Sequence, residues 1–521
     1  VSNLIEPGAA ATRTKSLIRS GSRELTHEAL NLTVARAAEG FRSLGVAEGD
    51  RIALLLRNDF AFFEATLATL ACGAYPVPIN WHCSPSEFRY IVEDCGAKAL
   101  VVHRDLLAKV AETVPEGVTV LAVETPPEVA AAYDIPQAAA DTGVRDWHLW
   151  GEGFDPCEDV RDTSPRASII YTSGTTGRPK GVLRAPDYSG RALALSMKCY
   201  GFAEPGDKVA LISGPLYHAA PNIYGRLAIA SHAEIVLQPR FDAEEALALI
   251  ERHGVTHMNM VPTMFVRLLR LSNEIRSRYD LSSLRSVVHG GAPCPENVKR
   301  DMIQWFGPII HEYYGSSETG PIASISPGEA TLRPGSVGRP FDGVSIFIRD
   351  EAGRDLPQGG TGEVWIRTEA NPRFIYLGKE SPDDVTEGVR LISVGDIGHL
   401  DAAGYLYLSD RKNHMIISGG ANIYPAEIEA ALLSIQAIGD CAVFGVPDAD
   451  FGEAVCAYLQ PVHAGAEIDL DVVREHLEQK LSKFKVPRVF CICTELPRED
   501  SGKIFKNKLR DAHLAHGGWR P

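Results

Sequence analysis

The residues best suited to chemistry stand together in Tyr171-Thr172-Ser173-Gly174-Thr175-Thr176-Gly177-Arg178-Pro179-Lys180-Gly181, directly after the β-like run Ala167-Ser168-Ile169-Ile170. Three glycines, four hydroxyl side chains (Thr172, Ser173, Thr175, Thr176) and the lysine Lys180 fall within these eleven positions. A loop so composed can turn its backbone N–H groups inward around a polyphosphate, with hydroxyls and an ammonium closing the shell. A plain Gly/Ser/Thr surface loop has the same composition. Spacing excludes the Walker A loop. Counted from Gly174, the sixth residue is Pro179 where glycine is required, and Lys180 is followed by Gly181 rather than Ser or Thr.

Other stretches carry candidate groups. Tyr313-Tyr314-Gly315-Ser316-Ser317-Glu318-Thr319-Gly320 places a carboxylate on a Gly-rich strand end. Facing phosphates, Glu318 would repel them unless a hard cation such as Mg²⁺ stood between; otherwise it is a solvated turn residue. The small residues of His289-Gly290-Gly291-Ala292-Pro293 let a planar ring lie on bare backbone, and also suit a simple strand-to-helix turn. Gly395-Asp396 and Gly404 to Arg411 read as a hairpin in which the Asp396 carboxylate can accept from two vicinal hydroxyls. Paired glycines in Ser418-Gly419-Gly420 permit close approach by a narrow linear ligand. Lys503 follows Gly502 on a turn, where a lone lysine is ordinarily solvated. His218, one of 16 histidines, sits at the end of a strand, where it reads as structural or as gating a pocket.

The elements that must position these groups follow from periodicity. Leu30, Val34, Ala38 and Phe41 recur at helical spacing between Leu25 and Val46, and Ile52 to Leu56 is an apolar run expected as a buried parallel strand. A helix through Phe63 to Ala68 and strands at 75–79, 99–102 and 118–121 continue the alternation. Residues 143–165 read as an acidic, turn-rich connector. Further strands are expected at 208–213, 256–261, 284–288 and 309–314, then a more β-rich region from Gly362. Strands alternating with helices imply a layered α/β domain with a mainly parallel sheet. After Asp410 to Asn413, a helix at 427–433, a strand at 440–446 and a helix at 470–481 imply a small separate α+β unit.

At 521 residues the chain is too long for one core. Hydrophobic content of 45% and charged content of 23% are ordinary for a globular protein. A net charge of −15 argues against nucleic-acid partners and an electrostatic membrane anchor, while leaving a local anion pocket open. The ten cysteines are scattered, and no pair or His/Cys group has metal-ligand spacing along the chain. No signal peptide is read at Val1 to Pro7, and no run approaches the roughly 20 apolar residues of a spanning helix. A cytoplasmic enzyme with free thiols and no integral membrane contact is expected. Oligomeric state is not legible.

In their order along the chain these stretches resemble the adenylate-forming superfamily, in its acyl-CoA synthetase branch. The resemblance implies a large N-terminal domain over 1–410 and a small mobile C-terminal domain over 411–521, turning about Asn413. It implies that Thr172, Ser173, Gly174, Thr175, Thr176, Gly177 and Lys180 hold the phosphates of ATP. It further assigns Gly290, Gly291, Ala292 and Pro293 to the adenine with Tyr314 stacking near it, Tyr313, Gly315 and Ser316 to ATP or AMP binding, Thr319 to the α-phosphate, and Asp396 and Arg411 to the ribose. Glu318 is implied as the Mg²⁺ ligand, Ser418, Gly419 and Gly420 as the path of the CoA pantetheine, Lys503 as the adenylation lysine and His218 as a neighbour of the acid. ATP and CoA are implied as co-substrates with a carboxylic acid. Two positions depart from the family pattern. Asn413 stands where Asp or Lys is usual, and Val394 stands where the Thr of Thr-Gly-Asp is usual. A variant working mainly in the thioester half-reaction, or one loading a carrier protein, therefore stays open. Tyr217 to Tyr224, His289 to Gly291, Tyr313 to Ser316 and the residues after Gly320 are expected to wall the acid. Ala219, Ala220, Gly225 and Ile322 suggest a roomy apolar pocket for a medium or long fatty acid or a bulky cyclic one, with Arg226 as a possible second anchor.

Overall fold

The computed structural model describes residues 16–136, 143–157, 166–172, 179–369, 372–378, 384–386, 389–418, 421–463, 465–498 and 504–517. The first units form where local chemistry agrees with the pattern. The helix His27–Ser43 starts on Thr26, whose hydroxyl accepts from Ala29 N–H, and buries Leu30, Val34, Ala38 and Phe41 on one face. Ser84 and Glu87 close a reciprocal cap on the helix Pro85–Cys95. The strand Arg51–Leu55 lies in an all-parallel five-stranded sheet with Tyr75–Pro78, Ala99–His103, Thr119–Val123 and Arg145–Asp146. Sheet strands covered on both faces need no polar alternation, and this one shows none.

A larger sheet has two characters. Ser16–Ser20, Glu234–Leu237, Val209–Ile212, His257–Met260, Ser286–His289 and Ile310–Ser316 pair in parallel. From Ile310–Ser316 onward the pairing turns antiparallel, through Gly320–Ile325, Ser336–Pro340, Leu406–Arg411, Val389–Leu400 and Gly362–Thr368. Between the two sheets lies the main core, which takes in the helix Phe60–Ala71 with Phe60, Phe62, Phe63 and Leu67 all buried. The expected 143–165 connector is partly structured. Trp147–Glu152 is a short helix capped by Asp146, and buried Trp147 donates its indole N–H to Glu64 Oε2 at 2.9 Å. A single buried aromatic with a satisfied polar tip orders a segment that composition alone reads as loop.

Beyond Arg411 the strands form their own sheet: Ala421–Ile423, Ile416–Ser418, Gly452–Pro461, Ile438–Asp448 and, parallel to Gly452–Pro461, Val489–Ile492. Among the described residues its cores contain none from the first 410 positions. Among the described residues no helix is long and apolar enough to cross a membrane.

Candidate active site

The strand Ile310–Ser316, where parallel pairing gives way to antiparallel, carries the centre of the site. Alternation sends its two tyrosines to opposite faces. Tyr314 donates its hydroxyl to Asp396 Oδ2 at 2.5 Å, and Arg411 Nε donates to Asp396 Oδ1 at 3.2 Å. Asp396 and Arg411 face each other in the register of Val389–Leu400 and Leu406–Arg411, so three expected nucleotide residues from distant positions form one polar group. Burial, reinforced by Asp396, pushes the Tyr314 phenol well above its ordinary value, so it remains a hydrogen-bond donor. Tyr313 points the other way, its hydroxyl paired with that of Tyr200 at 3.0 Å.

The turn after this strand is tied internally. Ser316 Oγ takes the N–H groups of Glu318 and Thr319 and lies 2.9 Å from Thr319 Oγ1, which also donates to Gly320 O. Thr319 is therefore buried in the turn's own bonding. Gly315 is required because a Cβ there would lie 2.4 Å from Gly320 O. Arg184 clamps the turn from outside, donating to Ser317 O at 2.6 Å and Ser316 O at 3.3 Å.

Glu318 is half-buried, and its Oε1 accepts from the Tyr376 hydroxyl at 3.1 Å. Lys180 Nζ stands 5.1 Å from the centre of the Tyr376 ring. These meet because Phe374–Tyr376, Lys180–Arg184 and Ile170–Thr172 form a small antiparallel sheet, with Thr172 opposite Lys180. The phosphate-loop candidates are thus the connection of a β-hairpin. Its residues Ser173, Gly174, Thr175, Thr176 and Gly177 lie outside the described residues, as do Gly419, Gly420 and Lys503 and the side chain of Asn413. Neither Arg184 nor Tyr376 was picked out from sequence. Their only signal is strand pairing with Lys180, which composition does not disclose.

A carboxylate with one oxygen on a phenol and, among the described residues, no hydrogen bond on the other offers a hard donor. It suits Mg²⁺, which takes one or two carboxylates together with phosphate oxygens.

Other expected positions are modified. The ring of Tyr313 covers Gly290, where a Cβ would meet it at 2.6 Å, so the bare backbone open to a planar ring is at Gly291 (φ 80°) with exposed Ala292 and Pro293. His289 is fully buried against Phe265 beside the Lys299–Glu312 ion pair, and burial, with Lys299, pushes its pKa down to about 3. It is a neutral core histidine rather than a pocket wall. Among the described residues, several positions expected to open a roomy pocket are filled. The open side of Gly225 is filled by Phe63, Ile322 is buried, and Tyr224 packs on Tyr200 and Phe202 at 5.9 and 5.0 Å. On the helix Ala219–Ala230, Ala219, Ala220, Ile223, Arg226 and Ala230 stay half-exposed, as does His218 at its N-cap. Arg226 donates to the Arg166 carbonyl at 2.9 Å. At the second departure from the pattern, Val394 packs with Val182, Phe374 and Ile392. The neighbouring Ser393 hydroxyl is turned away, donating to Glu363 Oε1 and accepting from Gly395 N–H.

In the C-terminal unit, Ser418 ends the strand Ile416–Ser418 opposite Ala421, at the mouth of the paired-glycine loop. The lysine turn is closed at its base by an antiparallel bridge between Arg498 and Ile504, and by an ion pair from Arg498 to Asp440.

Comparison with known proteins identifies the family. The family model of the AMP-binding enzymes matches residues 6–374, and that of the AMP-binding enzyme C-terminal domain matches residues 427–503. The chain is 32% identical over 514 residues to an indoleacetate–CoA ligase of Aromatoleum aromaticum, covering 97% of this chain and 95% of that one. It is 31% identical over 508 residues to a feruloyl-CoA synthase of an Amycolatopsis species, covering 95% of each. Among solved structures, the o-succinylbenzoate CoA synthetase of Bacillus subtilis in complex with its acyl-adenylate intermediate superposes with a TM-score of 0.80 at 27% identity, over 97% of this chain and 96% of that one. The chain belongs to the AMP-binding enzyme family, and it is an adenylate-forming acid–thiol ligase.

Proposed function

We propose that this ligase activates an aromatic or other flat, bulky carboxylic acid as its adenylate and then transfers the acyl group to the thiol of CoA. The observation that carries the reading is the junction of Tyr314, Asp396 and Arg411 beside Glu318, Tyr376 and Lys180. One group suits a ribose and the other suits a charged phosphate chain. In the first half-reaction a carboxylate oxygen attacks the α-phosphorus of ATP, and the bond to the bridging oxygen breaks to release pyrophosphate. Two anions must approach, so positioned positive charge is the main requirement. Lys180 and the hairpin connection hold the phosphates, Lys503 bridges the acid and the α-phosphate, and Asp396 and Arg411 fix the ribose. A Mg²⁺ ion held by Glu318 would supply charge neutralisation on the phosphate oxygens. One unit charge at 4 Å is worth about 4 kcal/mol at an effective dielectric near 20, roughly a thousandfold in rate.

The second half-reaction brings the CoA sulfur to the acyl carbon and expels AMP. We assign residues 411–521 to a unit that turns at Lys412–His414, exchanging the lysine turn for the Ser418–Gly420 loop. The aromatic preference rests on the pocket side. Tyr200, Tyr224, Tyr313 and Phe63 fill the interior that a long acyl chain would need. Relatives named for indoleacetate and ferulate agree with that reading.

The test is a panel of arylacetic, cinnamic and C8 to C16 fatty acids, with pyrophosphate release and thioester formation assayed separately, and CoA compared with a carrier protein. Faster pyrophosphate release with fatty acids would overturn the substrate class. Transfer to the carrier protein alone would overturn the acceptor. Lys503→Ala should nearly abolish pyrophosphate release while leaving thioester formation from supplied acyl-adenylate. Equal loss of both would remove the role given to Lys503.

A further inference from the structure

The small C-terminal unit holds a group of side chains that the ligase reaction does not use. Cys456 lies on Gly452–Pro461 and Cys491 on the parallel strand Val489–Ile492, while His513 lies on the closing helix Lys506–His516. The register pairs Cys456 with Val489 and Tyr458 with Cys491, so both cysteines face the same side of the sheet. The helix crosses that face with Leu509 fully buried and, one turn on, His513 Nδ1 at 2.9 Å from the Tyr458 hydroxyl and 4.0 Å from Cys491 Sγ. The ligand atoms of Cys456, Cys491 and His513 all lie within 4.8 Å of one another. Among the described residues it is the one such group of three.

We propose that Cys456, Cys491 and His513 form a binding site for a zinc-class divalent ion, with a water molecule as the fourth ligand. Two thiolates and one imidazole are the donor set that soft and borderline metals select over Mg²⁺ or Ca²⁺. Around a tetrahedral zinc, bonded sulfur and nitrogen atoms stand roughly 3.6 Å apart, so Cys491 and His513 at 4.0 Å need to close by a few tenths of an ångström, and the most distant pair, within 4.8 Å, by about one. A disulfide between the two cysteines is the competing use. They are offset by two residues along adjacent strands, which places their α-carbons roughly 8 Å apart, beyond ordinary disulfide reach.

Both thiols lose their protons as the ion binds, giving two thiolate bonds and two released protons. The Tyr458 hydroxyl then passes from His513 to the metal-bound water. Cys491 and His513 are half-exposed, so ion and water can enter from solvent. The consequence is mechanical. The ion ties the closing helix to the sheet, and that helix starts directly after the bridge that closes the lysine turn.

The experiment uses the full chain, treated with a chelator and reductant and then titrated with ZnCl₂ or CoCl₂. One tightly held ion per chain is expected, with a thiolate-to-cobalt charge-transfer band and about two protons released per zinc. Cys456 is fully buried, so its replacement could disturb folding by itself. The half-exposed ligands Cys491→Ser and His513→Gln are therefore the primary variants, each checked by its unfolding curve without metal. Each should weaken zinc binding at least tenfold and abolish the zinc-dependent rise in Tm seen with the unaltered chain. Undiminished binding in the double variant, absence of a stoichiometric ion, or formation of a Cys456–Cys491 disulfide that zinc does not prevent would each overturn the site.

Discussion

Two groups of ionisable side chains, one in the large body and one in the small unit, differ in the chemistry of their donors. Around Glu318 the donors are oxygens, the carboxylate and the Tyr376 phenol, with Lys180 beside them and all three half-buried. Around Cys491 they are sulfur and nitrogen, drawn from two strands and a helix. Hard oxygen donors suit a transient magnesium–phosphate complex that must arrive and leave with each turnover. Thiolate and imidazole suit an ion that stays. On the two proposals made above, the contrast separates a group that serves the reaction from one that serves the shape of the unit carrying the lysine turn.

The largest expected effect is at the oxygen group. Glu318→Gln keeps the shape and the Tyr376 contact but removes the charge, and should slow pyrophosphate release by about a thousandfold. Zinc binding should be unchanged, and a parallel loss of both would dissolve the distinction. Next comes Asp396→Asn, which weakens the pairing with Arg411 and, on the proposed reading, with the ribose hydroxyls. Here the KM for ATP should rise by about 10- to 100-fold with a smaller change in kcat, read from initial rates at saturating acid.

Acid provides a third probe, directed at the buried core around His289. His289 has its pKa pushed down to about 3 by burial, below the ordinary 6.5 of the unfolded chain. The unfolded state therefore binds the proton first. Stability tied to His289 is intact above about pH 6.5 and is lost progressively as the pH falls towards 3. His289→Leu should shrink the stability difference between pH 7 and pH 4 by up to about 3 kcal/mol, measured by denaturant unfolding. An unchanged acid limb would place the loss elsewhere, with His257, held down at about 4 by burial, as the next histidine to replace. The smallest effect is that of Tyr376→Phe. Losing one hydrogen bond to a carboxylate should cost about 1 to 2 kcal/mol, a five- to thirtyfold reduction in kcat/KM, and less if water replaces the phenol.

Legibility differed between the same two regions. In the large body, strand starts and ends came within a few residues of the observed bounds wherever an apolar run was bracketed by glycine or polar turns, as at Arg51–Leu55 and Ile310–Ser316. The hairpin bringing Asp396 opposite Arg411 was readable because Gly404 breaks the alternation between two strands. One small residue expected to leave empty space does not do so. At Gly225 the missing side chain admits Phe63 from another helix, a long-range fact that local composition does not carry. Trp147 ordered a segment read as connector for the same reason, its partner Glu64 lying in a helix far upstream.

What the amino-acid order alone determined was the kind of protein. Glycines, hydroxyls and lysine at fixed short separations, Glu318 on a Gly-rich turn and Asp396 on a hairpin are local features, and local features survive without knowledge of the fold. Tertiary structure alone decided which side chains share a space. Tyr376 comes to Glu318, Phe63 to Gly225, and Cys491 and His513 to Cys456 only when strands pair and helices pack. Spacing along the chain sets what a segment can do. Burial and sheet register set what it meets, because both follow from contacts between residues that the chain keeps far apart.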